Sequence, residues 1–390
     1  MENIYWQNES IKINQDIIYS IVPVFKESMI VIIVKDITNN SKFEVFINNK
    51  WYCSELIQPN VAYNYTVVHK CKVPFDVFIK LKKEKKIGIK IRIPNTQHIV
   101  SETILYNKIM DSKENHLLIE SINHIFFRKE TIKETIINII PWIEYHLSIG
   151  VDQILINQSQ YLTNKNKGSE KLWIDLLYPY LKSNKVFLIM YKDNIQEYSH
   201  QTPISNIAFY LSKHRTKWFA THDLDEYICK LDGSWDLNDK KPLQSYLNNI
   251  PDYINYIETK MYKVLIPKNK MYISSSTLAS VNPMPCFHKC IAKADDINII
   301  WVHYISSWKD KVHEDSKYTL RINHYKPQNE KDIDLINYNK LDPLYKITLN
   351  NINKKYNLKY TLIINNILKY ITSKSNDMIS CNNGPVGVGG

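Results

Sequence analysis

From about residue 120 to residue 221 the chain alternates short runs rich in isoleucine, valine and aromatics with longer segments of helical period. No other feature restricts the fold as much. Ile122 to Phe127, Gln153 to Asn157, Val186 to Met190 and Trp218 to Thr221 read as strands. Glu130 to Ile149, Glu170 to Leu181 and Gln201 to Lys213 read as helices. Pro141 should bend or break the first helix, and Gly150 is placed to end it in the left-handed region. Strands and helices alternating at this length predict an α/β fold with a mainly parallel sheet under covering helices. Ligands of such sheets bind beyond the carboxyl ends of the strands.

The fourth strand runs into His222-Asp223-Leu224-Asp225-Glu226. On an extended backbone residues i and i+2 point the same way. Asp223 and Asp225 would then form a hard-oxygen pair suited to Mg²⁺ or Mn²⁺, with space for the oxygens of a diphosphate. The plainer alternative is a surface turn carrying two solvated aspartates. Before residue 384 the glycines are Gly88, Gly150, Gly168 and Gly233, so neither a GxGxxG nor a Walker loop is present. A phosphate-binding glycine loop is excluded, and a metal must neutralise any diphosphate.

Residues 14 to 106 read as β, in short runs at Ile17 to Val24, Met29 to Ile37, Phe43 to Ile47, Ala62 to Val68, Phe75 to Leu81 and Ile87 to Ile93. Lys82 to Gly88 reads as a charged hairpin tip, with Gly88 supplying the unusual backbone angle. The sum predicts an antiparallel, sandwich-like domain that acts as a structural cap. Residues 351–373 read as a lysine-rich helix, and the glycine-rich ending as a disordered tail. The expected organisation is therefore 1–115 β-rich, 116–345 α/β, 346–373 helical and 374–390 tail.

The net charge is +11, yet arginine occurs only at positions 92, 128, 215 and 321. A polyanion binder would use arginine forks for bidentate phosphate contact, so no nucleic-acid partner is expected. The net basicity still suits attraction of an anionic substrate such as a nucleotide sugar, while lysine spread along the whole chain favours a solvated surface. Of the six cysteines, Cys53 and Cys71 share the β-rich region and are candidates for a disulfide. Cys286, His288 and Cys290 lack a second ligand cluster at zinc-like spacing and read as structural. No run approaches the ~20 apolar residues that span a bilayer, and no secretory leader is evident. The expected location is the cytoplasm, of a cell or of a virus-infected host, or a secretory lumen if an anchor lies outside this sequence.

Several motifs then converge. Phe127-Arg128-Lys129-Glu130 precedes Trp142-Ile143-Glu144-Tyr145-His146, which ends at Gly150. The Asp223-Leu224-Asp225-Glu226 element follows, then His288-Lys289-Cys290-Ile291, Trp301-Val302-His303-Tyr304 and Arg321-Ile322-Asn323-His324-Tyr325. In that order and spacing, over roughly residues 120 to 330, the chain resembles glycosyltransferase family 92 and the neighbouring family-2-like glycosyltransferases. The resemblance implies a GT-A fold, a Rossmann-like nucleotide half joined to an acceptor half. It also implies a nucleotide-sugar donor (a UDP-sugar), a glycan or glycoprotein acceptor, Mn²⁺ or Mg²⁺, and inverting transfer of a sugar such as galactose. Carried onto this sequence, Asp223 and Asp225 would bind the metal and the donor diphosphate, and His303 or His324 would complete the metal sphere, His303 ranking first. Arg128 and Lys289 would contact the donor, and Glu144 and His146 belong to the matched helix block.

Three departures stand out: Lys129 and Pro141 replace the family's usual residues, and Ile156-Asn157-Gln158-Ser159 occupies a loop expected near the nucleotide. An inverting reaction also needs a carboxylate to accept the acceptor's proton, for which Glu226, Asp232 and Asp236 are the candidates, and Asp295-Asp296 is a further acidic pair. The rival reading is a GT-A-fold module that binds sugar or protein without turnover.

Overall fold

The computed structural model describes residues 4–7, 11–13, 16–35, 42–57, 66–92, 98–125, 132–159, 169–191, 201–231, 235–236, 238–266, 278–280, 283–284, 288–300, 305–307, 320–327 and 335–337. Its main feature is an eleven-stranded mixed sheet. Five neighbouring strands run parallel: Ile4–Gln7, Val186–Tyr191, Gln153–Ser159, His116–Ile125 and Thr216–His222. The last of these pairs antiparallel with His288–Lys293, which pairs antiparallel with Tyr256–Ile266. Leu320–Pro327 runs parallel to Tyr256–Ile266 and antiparallel to Glu226–Cys229.

The alternation read from the sequence is observed. Helices Ile132–Ile149, Ser169–Lys182 and Gln201–Ser212 connect the parallel strands. Because these strands are covered on both faces, they are apolar nearly throughout: Ile154, Leu155, Ile156, Val186, Phe187, Leu188, Ile189 and Met190 are all buried. Their side chains divide by parity between two cores. Leu118, Ile122, Ile154, Ile156 and Trp218 meet the first two helices. Ile119, Leu155, Phe187 and Phe219 face the third helix and the N-terminal strands.

That third helix is buried at each of its twelve residues, because it lies between the parallel sheet and the N-terminal β-layer. The N-terminal layer contains two antiparallel sheets. One has Ile11–Ile13, Asp16–Val24, Met29–Lys35, Thr66–Lys72 and Glu55–Ile57; the other has Ile99–Leu105, Lys86–Arg92, Glu44–Ile47 and Lys50–Cys53. Both supply residues to the core that includes the third helix.

The structure corrects three local expectations. Residues Phe75–Glu84 form a helix, not a strand. Pro74 starts it, and Val77, Phe78 and Leu81 fall at helical spacing on one buried face. Lys82 to Gly88 is accordingly no hairpin tip. Lys85 takes the left-handed conformation at the helix end (φ 64°), and Gly88 lies within the strand Lys86–Arg92. Cys53 and Cys71 are both free thiols. Cys71 is buried and donates to the Tyr52 carbonyl at 3.4 Å, while Cys53 is exposed beside Glu44. The expected helix at 351–373 and tail at 374–390 lie outside the described residues. No helix among the described residues is long and apolar enough to cross a membrane.

The helix Ile132–Ile149 continues through Pro141 and stops at Gly150, whose φ is +116°. The Val151 N–H returns to the His146 carbonyl at 2.9 Å, and Gln244 donates to the Gly150 carbonyl at 2.6 Å. A β-carbon on residue 150 would fall 2.8 Å from the Gln244 Cγ. Gly150→Ala therefore combines a disfavoured angle with a steric clash, and should destabilise the protein by about 2 kcal/mol in urea unfolding. An unchanged midpoint would show that the helix end can relax around the added methyl.

Candidate functional site

The site is built where the strand Thr216–His222 reaches the carboxyl edge of the parallel sheet. There the chain turns sharply. The Glu226 N–H donates to the Asp223 carbonyl at 3.0 Å, and the Asp223 N–H donates to Glu226 Oε2 at 2.8 Å. Asp223 and Asp225 thus sit in a turn rather than on an extended strand, which corrects the expected i, i+2 geometry. The reason is local: Glu226 closes the turn with its own side chain, and its backbone then joins the strand Glu226–Cys229.

The two aspartates have different partners. Asp223 Oδ2 accepts from Lys289 Nζ at 3.2 Å. Asp225 Oδ2 lies 3.3 Å from His324 Nε2, and its carbonyl accepts from the Tyr325 N–H at 2.8 Å. The side chains of Asp223 and Asp225 are 31% and 35% exposed, so each carboxylate reaches solvent. The strand pairing sets the second contact, because Glu226 lies opposite His324 in register.

Lys289 is fully buried, on the strand next to Thr216–His222, and its ammonium also lies 3.5 Å from Glu226 Oε2. Burial opposes its charge, but Asp223, Glu226 and Asp225 outweigh that and hold its pKa above the ordinary lysine value. Glu226 is 1% exposed. Burial pushes its carboxyl up to about 7, against the pull of Lys289 and with the help of Asp223. The expected phosphate contact of Lys289 therefore meets a different geometry: the ammonium is enclosed behind the turn and engaged by two carboxylates. The base candidate Glu226 is enclosed with it. Asp236 is exposed and accepts from the Asn238 N–H, closing its own turn. Arg128, Asp232 and His303 lie outside the described residues. Asp295 pairs with His214, which lies just before the opposite, amino end of Thr216–His222.

A second, fully buried layer supports the turn from below. Glu120 Oε1 lies 2.6 Å from His222 Nδ1 and 3.7 Å from His146 Nε2. His146 Nδ1 donates to the Trp142 carbonyl at 2.9 Å, which leaves Nε2 as the acceptor of a neutral ring. Burial drives the pKa of both histidines down and that of Glu120 well up. Trp142 Nε1 and Tyr145 Oη donate to the carbonyls of Glu226 and Ile228, each at 2.8 Å. The helix block thus fastens the strand that leaves the turn. Glu144 accepts from Tyr180 at 2.5 Å on the neighbouring helix, and neither it nor His146 reaches the turn carboxylates through these contacts. Glu120 was not among the sequence candidates. Its signal was a single carboxylate inside an apolar strand.

The Ile156-Asn157-Gln158-Ser159 segment is also corrected. It belongs to the strand Gln153–Ser159, not to a loop. Asn157 is buried and donates to Ser121 Oγ and the Ile122 carbonyl, each at 2.8 Å.

A family model described as glycosyltransferase family 92 matches residues 130–371, more than half of the chain. The chain belongs to glycosyltransferase family 92. That match takes in the turn, Lys289 and His324, and membership supports a transferase acting between a sugar donor and an acceptor. A search of curated proteins finds no match. Among solved structures, a UDP-glucose pyrophosphorylase complexed with UDP-glucose is similar at 9% identity and a TM-score of 0.24, over 62% of this chain and 99% of that one. So slight a likeness bears on neither fold nor activity.

Among the described residues of this family 92 chain, no three His, Cys, Asp or Glu side chains group so as to hold a metal ion by themselves. Asp225 and His324 do provide two ligand atoms 3.3 Å apart. Both are of a ligand-forming type, so Asp225 and His324 are the residues that would hold a divalent ion here.

Proposed function

We propose that this family 92 chain is a metal-dependent, inverting glycosyltransferase of GT-A type. It would move a hexose, galactose being the first candidate, from a UDP-sugar to a glycan or glycoprotein acceptor. The observation that carries the reading is the Asp223–Glu226 turn at the carboxyl edge of a parallel sheet, with Asp225 beside His324. Ligands of open α/β sheets bind at that edge.

Asp225 and His324 would hold the ion, with Asp223 directed to the same donor diphosphate and His303 the candidate for a further ligand. When bound, the ion supplies Lewis-acid stabilisation of the leaving diphosphate. Lys289 holds Asp223 in place and contributes positive potential under the site. Glu226 closes the turn and is a positioning residue. Of the three base candidates, Glu226 is enclosed and Asp236 closes its own turn, so Asp232 is the carboxylate to substitute first.

The test is release of UDP from several UDP-sugars, with and without Mn²⁺. Metal-stimulated release from at least one donor is expected. Folded protein that releases no nucleotide from any donor, with or without metal, would instead support a binding module.

A further inference from the structure

A cavity of about 740 Å³ opens away from the Asp223–Glu226 turn. Its wall includes Arg215, at the amino end of the strand Thr216–His222. The two ends of that strand lie about 20 Å apart. The cavity forms where the helix Phe75–Glu84 of the N-terminal layer meets the end of the buried helix Gln201–Ser212.

The lining has two chemistries. Phe25, Phe78 and Met110 are buried apolar residues, and Phe75 and Ile79 stand 57% and 56% exposed on the outer face of their helix. Large apolar side chains exposed together beside a cavity require an explanation that scattered ones do not. The charged lining is almost wholly basic, with Asp111 the one acid. Lys82 is paired with Asp111, and Lys213 with Glu27 at 3.1 Å. Lys26, Lys83 and Lys113 are exposed, and no carboxylate among the described residues pairs with them.

A second observation is independent of the surface lysines. Arg215 is 4% exposed, and its Nη2 is satisfied by Gln153 at 2.9 Å and Glu114 at 3.3 Å. Its Nε and Nη1 are buried and have no hydrogen-bond partner among the described residues. These two nitrogens are closed to solvent, so the guanidinium, which stands in the cavity wall, acts on the cavity through its positive potential.

We infer that this cavity binds one molecule of an anionic amphiphile, a single apolar chain ending in a phosphate or carboxylate. The apolar chain lies against Phe25, Phe75 and Ile79, and the anionic head is drawn by Arg215, Lys83 and Lys113. The site is separate from the turn, and the inference does not depend on sugar transfer.

Calorimetric titration of the full chain with dodecyl phosphate, below its micelle concentration, tests this. Dodecyl maltoside has the same chain with a neutral head, and inorganic phosphate has the head without the chain. Saturable binding of one dodecyl phosphate per chain is expected, with both controls weaker by roughly tenfold or more. Lys83→Glu combined with Lys113→Glu should weaken dodecyl phosphate by roughly tenfold, and Ile79→Asp should weaken it as well. All three substitutions are at exposed positions, and an unchanged thermal midpoint confirms the fold. Four results would each overturn the inference: no binding to the wild type, equal binding of maltoside, unaltered affinity in the variants, or binding only to anionic vesicles. The last would make the patch a membrane-contact surface rather than a site for a single molecule.

Discussion

Asp225→Asn is expected to lower metal-stimulated UDP release by roughly 100- to 1000-fold and leave the protein folded. The substitution keeps the size of the side chain and the bond from the Tyr325 N–H to the Asp225 carbonyl. It removes the anionic oxygen that lies 3.3 Å from His324. The pair is partly exposed, so its loss should change stability by less than about 1 kcal/mol. Steady-state release with and without Mn²⁺, alongside a melting curve, separates the two effects. A variant that retains the wild-type response to metal would remove Asp225 from the proposed ligand set.

Lys289→Met should have the largest effect on stability. It leaves Asp223 and buried Glu226 facing one another without the ammonium that lies between them. Breaking a buried ion pair from one side costs about 3–5 kcal/mol. Here the cost depends on pH, because Glu226 can avoid it by taking up a proton. Its folded pKa is already about 7 through burial, and losing Lys289 moves it higher. A carboxyl whose folded pKa exceeds its unfolded value loses stability as pH rises from the unfolded value through the folded one. Lys289→Met should therefore approach wild-type stability near pH 5 and fall increasingly behind above pH 7. Adding Glu226→Gln should restore much of the loss at high pH. Urea midpoints at pH 5 and pH 8 are the measurement, and a deficit of equal size at both would rule out Glu226 as its source.

The parallel half of the fold was legible because its signals are redundant. Val186–Tyr191 is a continuous apolar run, His116–Ile125, Gln153–Ser159 and Thr216–His222 have apolar centres, and Gly150 marks a helix end that only glycine tolerates easily. The helix Phe75–Glu84 was misread because Phe75, Val77 and Ile79 alternate as a strand would, while Phe78 and Leu81 carry the helical period. The acidic turn was located correctly, but its shape was not. Nothing in Asp223-Leu224-Asp225 announces that Glu226 will fold back to close it. Lys289 was hard to weigh in a chain so rich in lysine, since only burial distinguishes it from the solvated ones. The layer beneath the turn depends on pairing between distant elements: Glu120, His146 and His222 come from two strands and a helix. Local spacing cannot bring such residues together.

The helix Gln201–Ser212 has no face left for water. A segment clad on every side cannot be the outer skin of one module and the inner wall of another. The strands before residue 116 and the sheet after it must therefore be inherited as a single block. Shuffling the front portion onto an unrelated partner would strip the α/β half of its backing, so the two are expected to be exchanged only together.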